Sequence, residues 1–192
     1  MVSPYYNKPP QAGVLQHLTM VAEAIDLPVM LYDIPGRTGV AIDEDTMVRA
    51  AEHERILAVK DAKGDLEASS WVMRRTDLAW YSGDDAMTLP LLSIGAVGVV
   101  SVSSHLAGPR IREMLDAYEA GEVHRAHQIH RALLPVFTGV FRTQGVMTVK
   151  AALAHLGVIS SHVRTPLVEL SADEWATLQG DLREGAVEGF SA

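Results

Sequence analysis

The sequence has 192 residues, of which 48% are hydrophobic and 21% charged, the balance of a globular protein with its own core. Its net charge is −8 and Lys and Arg do not cluster, which disfavours nucleic acid and membrane surfaces as partners. The absence of cysteine excludes disulfides, thiolate metal sites and a cysteine nucleophile, and favours a cytoplasmic setting.

The first ten residues have the composition of a strand end that runs into a loop. Residues 2–6, VSPYY, are followed by Pro9 and Pro10, which predict the start of a helix. Residues 1–10 contain no apolar stretch of the signal-peptide type. No apolar run in the chain approaches the ~20 residues of a membrane helix, so no membrane association is expected.

Apolar strands alternate with helices through the first half of the chain. The predicted strands are residues 27–32, the run ending at Lys60, 78–82 and 98–104. The predicted helices between them start near Asp43, carry Leu66 to Met73, and span 87–94. This alternation predicts parallel βα units. Polar or glycine-rich residues follow each strand, at the end where a (β/α)8 barrel carries its active site. A doubly wound sheet would alternate in the same way, but the glycine fingerprint expected after its first strand is absent.

Four helices without an intervening strand follow from Ala107. They are predicted at 109–120, 122–141, 146–156 and from Ser171, which forms a capping-box pattern with Glu174. We therefore predict a partial (β/α) barrel in residues 1–108, and a closing helix with a C-terminal helical bundle in residues 109–192. A whole barrel has eight strands in about 250 residues, so the α/β part is expected to be roughly the second half of a (β/α)8 TIM barrel, strands 5–8 plus the end of strand 4.

Lys60 stands at the end of the apolar run 56–59. A lysine in that position keeps its stem in the core and its amine at the rim, as a Schiff-base lysine requires. Burial disfavours the charged amine and lowers its pKa from about 10.4, which makes it nucleophilic. The alternative is a solvated rim lysine paired with Asp61 or Asp65.

Two other groups of polar residues could form a metal site or a catalytic carboxylate pair. Three histidines recur at every third residue from His124 to His130, a spacing that drifts around a helix and favours a solvated or interface face over a metal site. Asp84 and Asp85 could form a carboxylate pair for magnesium or glycosidic chemistry. Neighbouring strand residues point to opposite faces, so a cap for the following helix is favoured.

Five segments in this order and spacing carry a family resemblance: SPYYNKP, LYDIPGRTG, AVKDAKGD, SGDD and GAVGVVSVSS. They resemble the dihydrodipicolinate synthase (4-hydroxy-tetrahydrodipicolinate synthase) family, pyruvate-dependent class I aldolases related to N-acetylneuraminate lyase. The resemblance covers the whole chain. It implies a lyase of lysine and diaminopimelate biosynthesis that condenses pyruvate with aspartate-4-semialdehyde. It also implies a homotetramer built as a dimer of dimers, and no cofactor, because the lysine provides the electron sink.

The resemblance assigns roles to three catalytic residues. Lys60 would form the imine with pyruvate, and Tyr32 of the Y-x-x-P motif would donate and accept protons. Tyr6 of the PYYN loop would cross a dimer interface and complete the proton relay of the neighbouring subunit. Without the resemblance, Tyr32 would be a rim tyrosine with a hydrated hydroxyl, and Tyr6 an interface aromatic.

Three substrate-binding positions and one regulatory position follow in the same way. Arg37 would bind the carboxylate of the aldehyde, although it could also form a surface ion pair. The backbone of Val100 would contact pyruvate, and Gly83 would leave space at the barrel mouth. Tyr5 matches one position of the family's lysine feedback site. The RTG sequence at Arg37 favours the synthase over the lyase branch.

One family motif does not occur in these 192 residues. The Gly-Thr-Thr-Gly-Glu loop supplies threonines that hold the pyruvate carboxylate and complete the relay. Two alternatives therefore stand beside the synthase. One is a catalytically incomplete fragment that covers its open edge strands by pairing with itself. The other is a sibling, N-acetylneuraminate lyase-like aldolase with another aldehyde acceptor.

Overall fold

The computed structural model describes residues 1–190, which divide into two compact units, Met1–Val100 and the residues from Ser101 onward. The first unit is α/β and the second is helical. None of the helices in the described residues has the length and apolar character needed to cross a membrane.

A parallel sheet of four strands organises the first unit, in the order β1-β2-β3-β4. The strands are β1 Val29–Asp33, β2 Ile56–Asp61, β3 Ala79–Ser82 and β4 Gly98–Val99. The helices are α1 Gln11–Glu23, α2 Pro35–Thr38, α3 Glu44–Ala50, α4 Leu66–Met73 and α5 Thr88–Ser93, which follows a 3-10 turn at Asp85–Met87. The alternation predicted from the sequence is confirmed.

Burial alternates along each strand because successive side chains point to opposite faces of the sheet. Leu31 and Val59 are fully buried and pack with Leu18 of α1 in the core of this unit. Their neighbours Tyr32 and Lys60 lie on the other face and are partly exposed. The sheet therefore separates an apolar, helix-covered face from a face that carries the candidate catalytic side chains.

The register between β1 and β2 changes by one residue near its start. Val29 pairs with Ile56, but Met30 pairs with Ala58, so Leu57 is an extra residue on β2. Beyond this irregularity the pairing is regular and sets Tyr32 opposite Lys60. Val2 makes a single parallel bridge with Tyr32, which agrees with the strand end predicted in residues 2–6.

The predicted strand at 98–104 was wrong beyond Val99. Val100 still donates its N–H to the Ser82 carbonyl at 2.9 Å. After it, the Ser101 hydroxyl accepts the Ser104 N–H at 2.8 Å, and the Ser104 hydroxyl donates to the Ser101 carbonyl at 3.1 Å. Serine side chains that bond nearby backbone compete with a strand ladder, and here they turn the chain into a helix.

Four helices make up the second unit: α6 Ser104–Glu119, α7 Val123–Val140, α8 Gly145–His155 and α9 Ala172–Glu184. Helix α6 begins before the predicted residue 109 because a first turn precedes Pro109, with a break from helical geometry at Ala107. The capping box at α9 is confirmed, since Ser171 and Glu174 each accept the other's backbone N–H.

Candidate active site

Lys60 and Tyr32 face each other across β1 and β2. The Lys60 Nζ atom lies 4.2 Å from the centroid of the Tyr32 ring. Burial lowers the pKa of the Lys60 amine, and the negative charge of buried Asp85 opposes part of that shift. The Lys60 ammonium therefore loses its proton more readily than that of an ordinary lysine and gives the neutral, nucleophilic amine directly beside a phenol.

Arg37 follows β1 and lies close enough to Tyr32 for its charge to act on the phenol. It lies in α2, which is Pro35–Thr38 and is capped at its C-terminus by Gly39, a glycine in left-handed conformation with φ 81°. Burial raises the pKa of the Tyr32 hydroxyl, and the positive charge of Arg37 opposes that rise. The phenol is thus protonated at neutral pH and can donate a proton.

Gly83 supports the stem of Lys60. A Cβ atom at this position would lie 3.0 Å from Lys60 Cγ, 3.1 Å from Ala62 Cβ and 3.1 Å from the Asp61 carbonyl. The Gly83 N–H also donates to that carbonyl at 2.6 Å. A Cβ atom at residue 83 would therefore have to displace its neighbours by a few tenths of an ångström, so the close approach of β3 to β2 favours glycine here.

Tyr81 was not predicted to belong to this site. It is the cross-strand partner of Lys60 on β3, so the lysine has a tyrosine opposite it on each side. Tyr81 also packs against Gly98, where an added Cβ would meet its ring at 3.3 Å. The sequence signal available for Tyr81 was its spacing: it lies two residues before Gly83, and residues two apart on a strand point to the same face.

Two further predicted residues lie outside the strands. Tyr6 is 91% exposed in the loop before α1 and has a positive φ of 72°. Val100 follows β4 and is exposed, with its N–H donated to the Ser82 carbonyl. The structure thus groups Lys60, Tyr32, Arg37 and Gly83, while Tyr6 stands outward.

Two buried aspartates, also not predicted, form a layer beneath the pair. Asp33 and Asp61 directly follow Tyr32 and Lys60, are themselves cross-strand partners, and are each 2% exposed. Asp33 accepts the Ile42 N–H at 3.1 Å and lies 3.9 Å from the Lys63 amine. Burial is the main cause that raises the pKa of the Asp33 carboxyl to about 6.

Asp61 is bonded to neutral donors and not to Lys60. Its Oδ2 accepts the Ser69 hydroxyl at 2.6 Å and the Trp80 indole N–H at 3.1 Å. Asp65 instead caps α4 by accepting the Ala68 N–H at 3.0 Å. Neither aspartate forms the ion pair with Lys60 that the alternative interpretation required.

Asp84 has a structural role. Asp84 accepts the Ala86 N–H at 2.9 Å and caps the 3-10 turn, as predicted. Within residues 1–190, no three His, Asp or Glu side chains are arranged to hold a metal ion.

Comparison with known proteins decides the family. Residues 1–184 match the model of the Dihydrodipicolinate synthetase family. The chain belongs to this family. A 4-hydroxy-tetrahydrodipicolinate synthase of Acidothermus cellulolyticus is 61% identical over 191 residues, which is 100% of this chain and 61% of that protein.

Two solved structures of this family superpose closely. The dihydrodipicolinate synthase of Bacillus anthracis has a TM-score of 0.92 at 44% identity, covering 95% of this chain and 63% of the other. The chloride-inhibited enzyme of Acinetobacter baumannii, complexed with pyruvate, has a TM-score of 0.91 at 34% identity, covering 97% and 65%. The parallel α/β architecture agrees with the TIM-barrel enzymes of the family. The chain spans a little under two thirds of the length of these relatives.

Proposed function

We propose that this chain carries the Schiff-base site of a lyase that condenses pyruvate with aspartate-4-semialdehyde to give 4-hydroxy-tetrahydrodipicolinate, in lysine and diaminopimelate biosynthesis. The observation that carries the proposal is the Lys60 amine, placed 4.2 Å from the centre of the Tyr32 ring with its pKa lowered by burial. The pyruvate complex of the Acinetobacter relative supports pyruvate as the first substrate.

Lys60 would act as the nucleophile. Its neutral amine attacks the keto carbon of pyruvate, the oxygen takes up a proton, and the carbinolamine then loses water to give an imine. Loss of a methyl proton gives an enamine, whose carbon attacks the aldehyde. Tyr32 would supply the proton to the departing hydroxyl and take it back later, because its phenol is protonated and adjacent.

Arg37 would bind the carboxylate of the aldehyde through its guanidinium fork. Its charge acts on Tyr32, which supports a location at the same mouth. Gly83 would keep the space beside the Lys60 stem open, and the backbone of Val100 would contact pyruvate. Tyr6, exposed and outward, would reach the site of a neighbouring subunit in a cytoplasmic homotetramer, a dimer of dimers.

The strands would be the second half of the family's barrel. We assign β1–β4 to barrel strands 5–8 and the Val2 bridge to the end of strand 4. Residues 1–108 would form this partial barrel, and residues 109–192 the closing helix and helical bundle. The threonines that hold the pyruvate carboxylate in the family have no counterpart in the 192 residues, so weak pyruvate binding is expected.

Imine trapping tests the proposal. The 192-residue chain is incubated with saturating pyruvate, reduced with borohydride and digested, and the adduct is located by mass spectrometry. The chain has four lysines, Lys8, Lys60, Lys63 and Lys150, so each can be followed separately. We expect the adduct on Lys60, its loss in Lys60→Ala and its retention in Lys63→Ala. Modification of other lysines with Lys60 unmodified would overturn the proposal.

A further inference from the structure

The side chain of Asp61, the residue after Lys60, accepts four hydrogen bonds. Its Oδ2 accepts the Ser69 hydroxyl of α4 and the Trp80 indole of β3, at 2.6 and 3.1 Å. Its Oδ1 accepts the backbone N–H groups of Lys63 at 2.9 Å and Gly64 at 3.4 Å. Three separate parts of the first unit are therefore joined at one buried side chain.

Only an acceptor fits this position. Four donors face the two oxygens of Asp61, and a carboxylate accepts at both. An asparagine would set its own amide donor against two of them, leaving buried donors unpaired. The Lys63 amine is directed to Asp33 rather than to Asp61, at 3.9 Å. The group thus serves as a hydrogen-bond hub and not as an ion-pair partner.

The backbone of Asp61 adds a second link to the same strands. Its carbonyl accepts the Gly83 N–H at 2.6 Å, at the end of β3. Gly83 is the residue against which the Lys60 stem rests, with 3.0 Å between Lys60 Cγ and a Cβ built on Gly83. The side chain and the main-chain carbonyl of Asp61 thus both join the end of β2, which carries Lys60, to β3 and the residue that follows it.

We propose that Asp61 is the positioning residue of the Lys60 amine: it joins the carboxyl end of β2 to β3 and α4 and so keeps the amine over the Tyr32 ring. This inference rests on the proposed function of Lys60. Because a misplacement of about 1 Å can cost a reaction about 100-fold, loosening this junction reduces the rate of imine formation.

Neutral substitutions of the donors separate positioning from charge. Replacing Asp61 itself would change the field at Lys60 as well as the geometry. Ser69→Ala and Trp80→Phe each remove one donor and leave the carboxylate in place. The chain offers matched controls one residue along in Ser70→Ala and at exposed Trp71→Phe, whose side chains do not bond Asp61. Val72→Ala controls for destabilisation of α4, because Val72 is buried but bonds nothing at this junction.

The experiment measures Lys60 in two ways in each variant. Competitive acetylation across pH gives the midpoint of Lys60 ionisation by peptide mass spectrometry, and borohydride trapping gives the rate of pyruvate adduct formation. Ser69→Ala and Trp80→Phe are expected to move the midpoint upward toward that of an ordinary lysine, because water reaches a loosened amine. They should also slow adduct formation by about 10-fold. The three controls should match the parent.

Each result decides between the proposals. An unchanged Lys60 midpoint in folded Ser69→Ala would overturn the positioning role. Equal shifts in Val72→Ala would do the same, since they would show a general effect of destabilisation. A parent chain that forms no pyruvate adduct would contradict the proposed function, while the acetylation midpoint would still test positioning. If Trp80→Phe unfolds, Ser69→Ala alone decides, because it removes a single oxygen atom.

Discussion

Tyr32 and Lys60 are cross-strand partners on β1 and β2, and this register brings a phenol and an amine together on one face of the sheet. The Lys60 amine lies over the ring, 4.2 Å from its centroid, so the phenol hydroxyl is within the same small volume. The pair depends on the register of the two strands, since the chain between them passes through helices α2 and α3. Removing the Tyr32 hydroxyl therefore tests its role in proton transfer, because β1 holds the ring beside the amine.

Tyr32→Phe removes the hydroxyl and keeps the ring beneath the amine. We expect the rate of imine formation with pyruvate to fall by about 100-fold or more, the usual contribution of a positioned proton donor. Tyr81→Phe is the comparison, because Tyr81 is the partner of Lys60 on the other side. Its loss should be the smaller one in a borohydride-trapping time course. Equal losses would argue against a special role of the Tyr32 hydroxyl.

Gly83→Ala places a methyl group 3.0 Å from Lys60 Cγ and 3.1 Å from the Asp61 carbonyl. Because the carbonyl belongs to a paired strand, the lysine stem must move. We expect the free energy of unfolding to fall by about 1–3 kcal/mol and Lys60 to lose reactivity toward pyruvate. Gly36→Ala, which meets nothing within 4 Å, serves as control in chemical denaturation. Full reactivity in Gly83→Ala would contradict the close packing described.

Asp33→Asn should change how stability depends on pH. The pKa of the Asp33 carboxyl is raised from 3.8 to about 6 in the folded protein, so unfolding releases a proton between these values. Stability contributed by this group is therefore lost as pH rises from about 4 to about 6, up to about 3 kcal/mol. The Asp33→Asn variant does not lose this stability, because asparagine has no carboxyl group to titrate.

The measurement is urea denaturation of parent and Asp33→Asn between pH 4 and pH 8. The variant should gain stability relative to the parent as pH rises, with the difference constant above about pH 7. Exposed Asp77→Asn is the control and should show little pH-dependent difference. A variant that loses stability relative to the parent as pH rises from 4 to 7 would have the wrong sign and would refute the assignment.

Arg142 stabilises the second unit through a buried partner. Its guanidinium donates to both oxygens of Asp181, at 2.7 and 2.8 Å, and Asp181 is mostly buried. Arg142→Ala leaves that carboxylate without its cation and should cost about 1–3 kcal/mol of unfolding free energy. Arg112→Ala breaks an exposed pair with Asp116 and should cost less than about 1 kcal/mol. Thermal unfolding of both variants distinguishes them; similar small losses would count against the first.

The sequence predicted what depends on local pattern. The apolar run before Lys60, the cap at Asp84 and the box at Ser171 all act within a few residues, and all are present. The strand after Gly98 was predicted too long because the bonds between Ser101 and Ser104 compete with the ladder.

The buried aspartates could not be predicted in the same way. An aspartate after a strand is usually solvated, and nothing in the local sequence shows that Asp61 is covered. Two of its four donors, Ser69 and Trp80, lie eight and nineteen residues further along the chain, so the full set of bonds forms only once α4 and β3 are packed. Asp33 likewise accepts its hydrogen bond from the backbone N–H of Ile42, nine residues further along.

The unpaired residue Leu57 shifts the register between β1 and β2 by one residue. Val29 pairs with Ile56, and if Leu57 paired with Met30 in a regular register, Tyr32 would lie opposite Val59 and Asp33 opposite Lys60. The phenol would then face an aliphatic side chain, and the amine would share a row with a carboxylate. Because exposed Leu57 is left unpaired near the start of β2, Lys60 rather than Val59 lies opposite Tyr32.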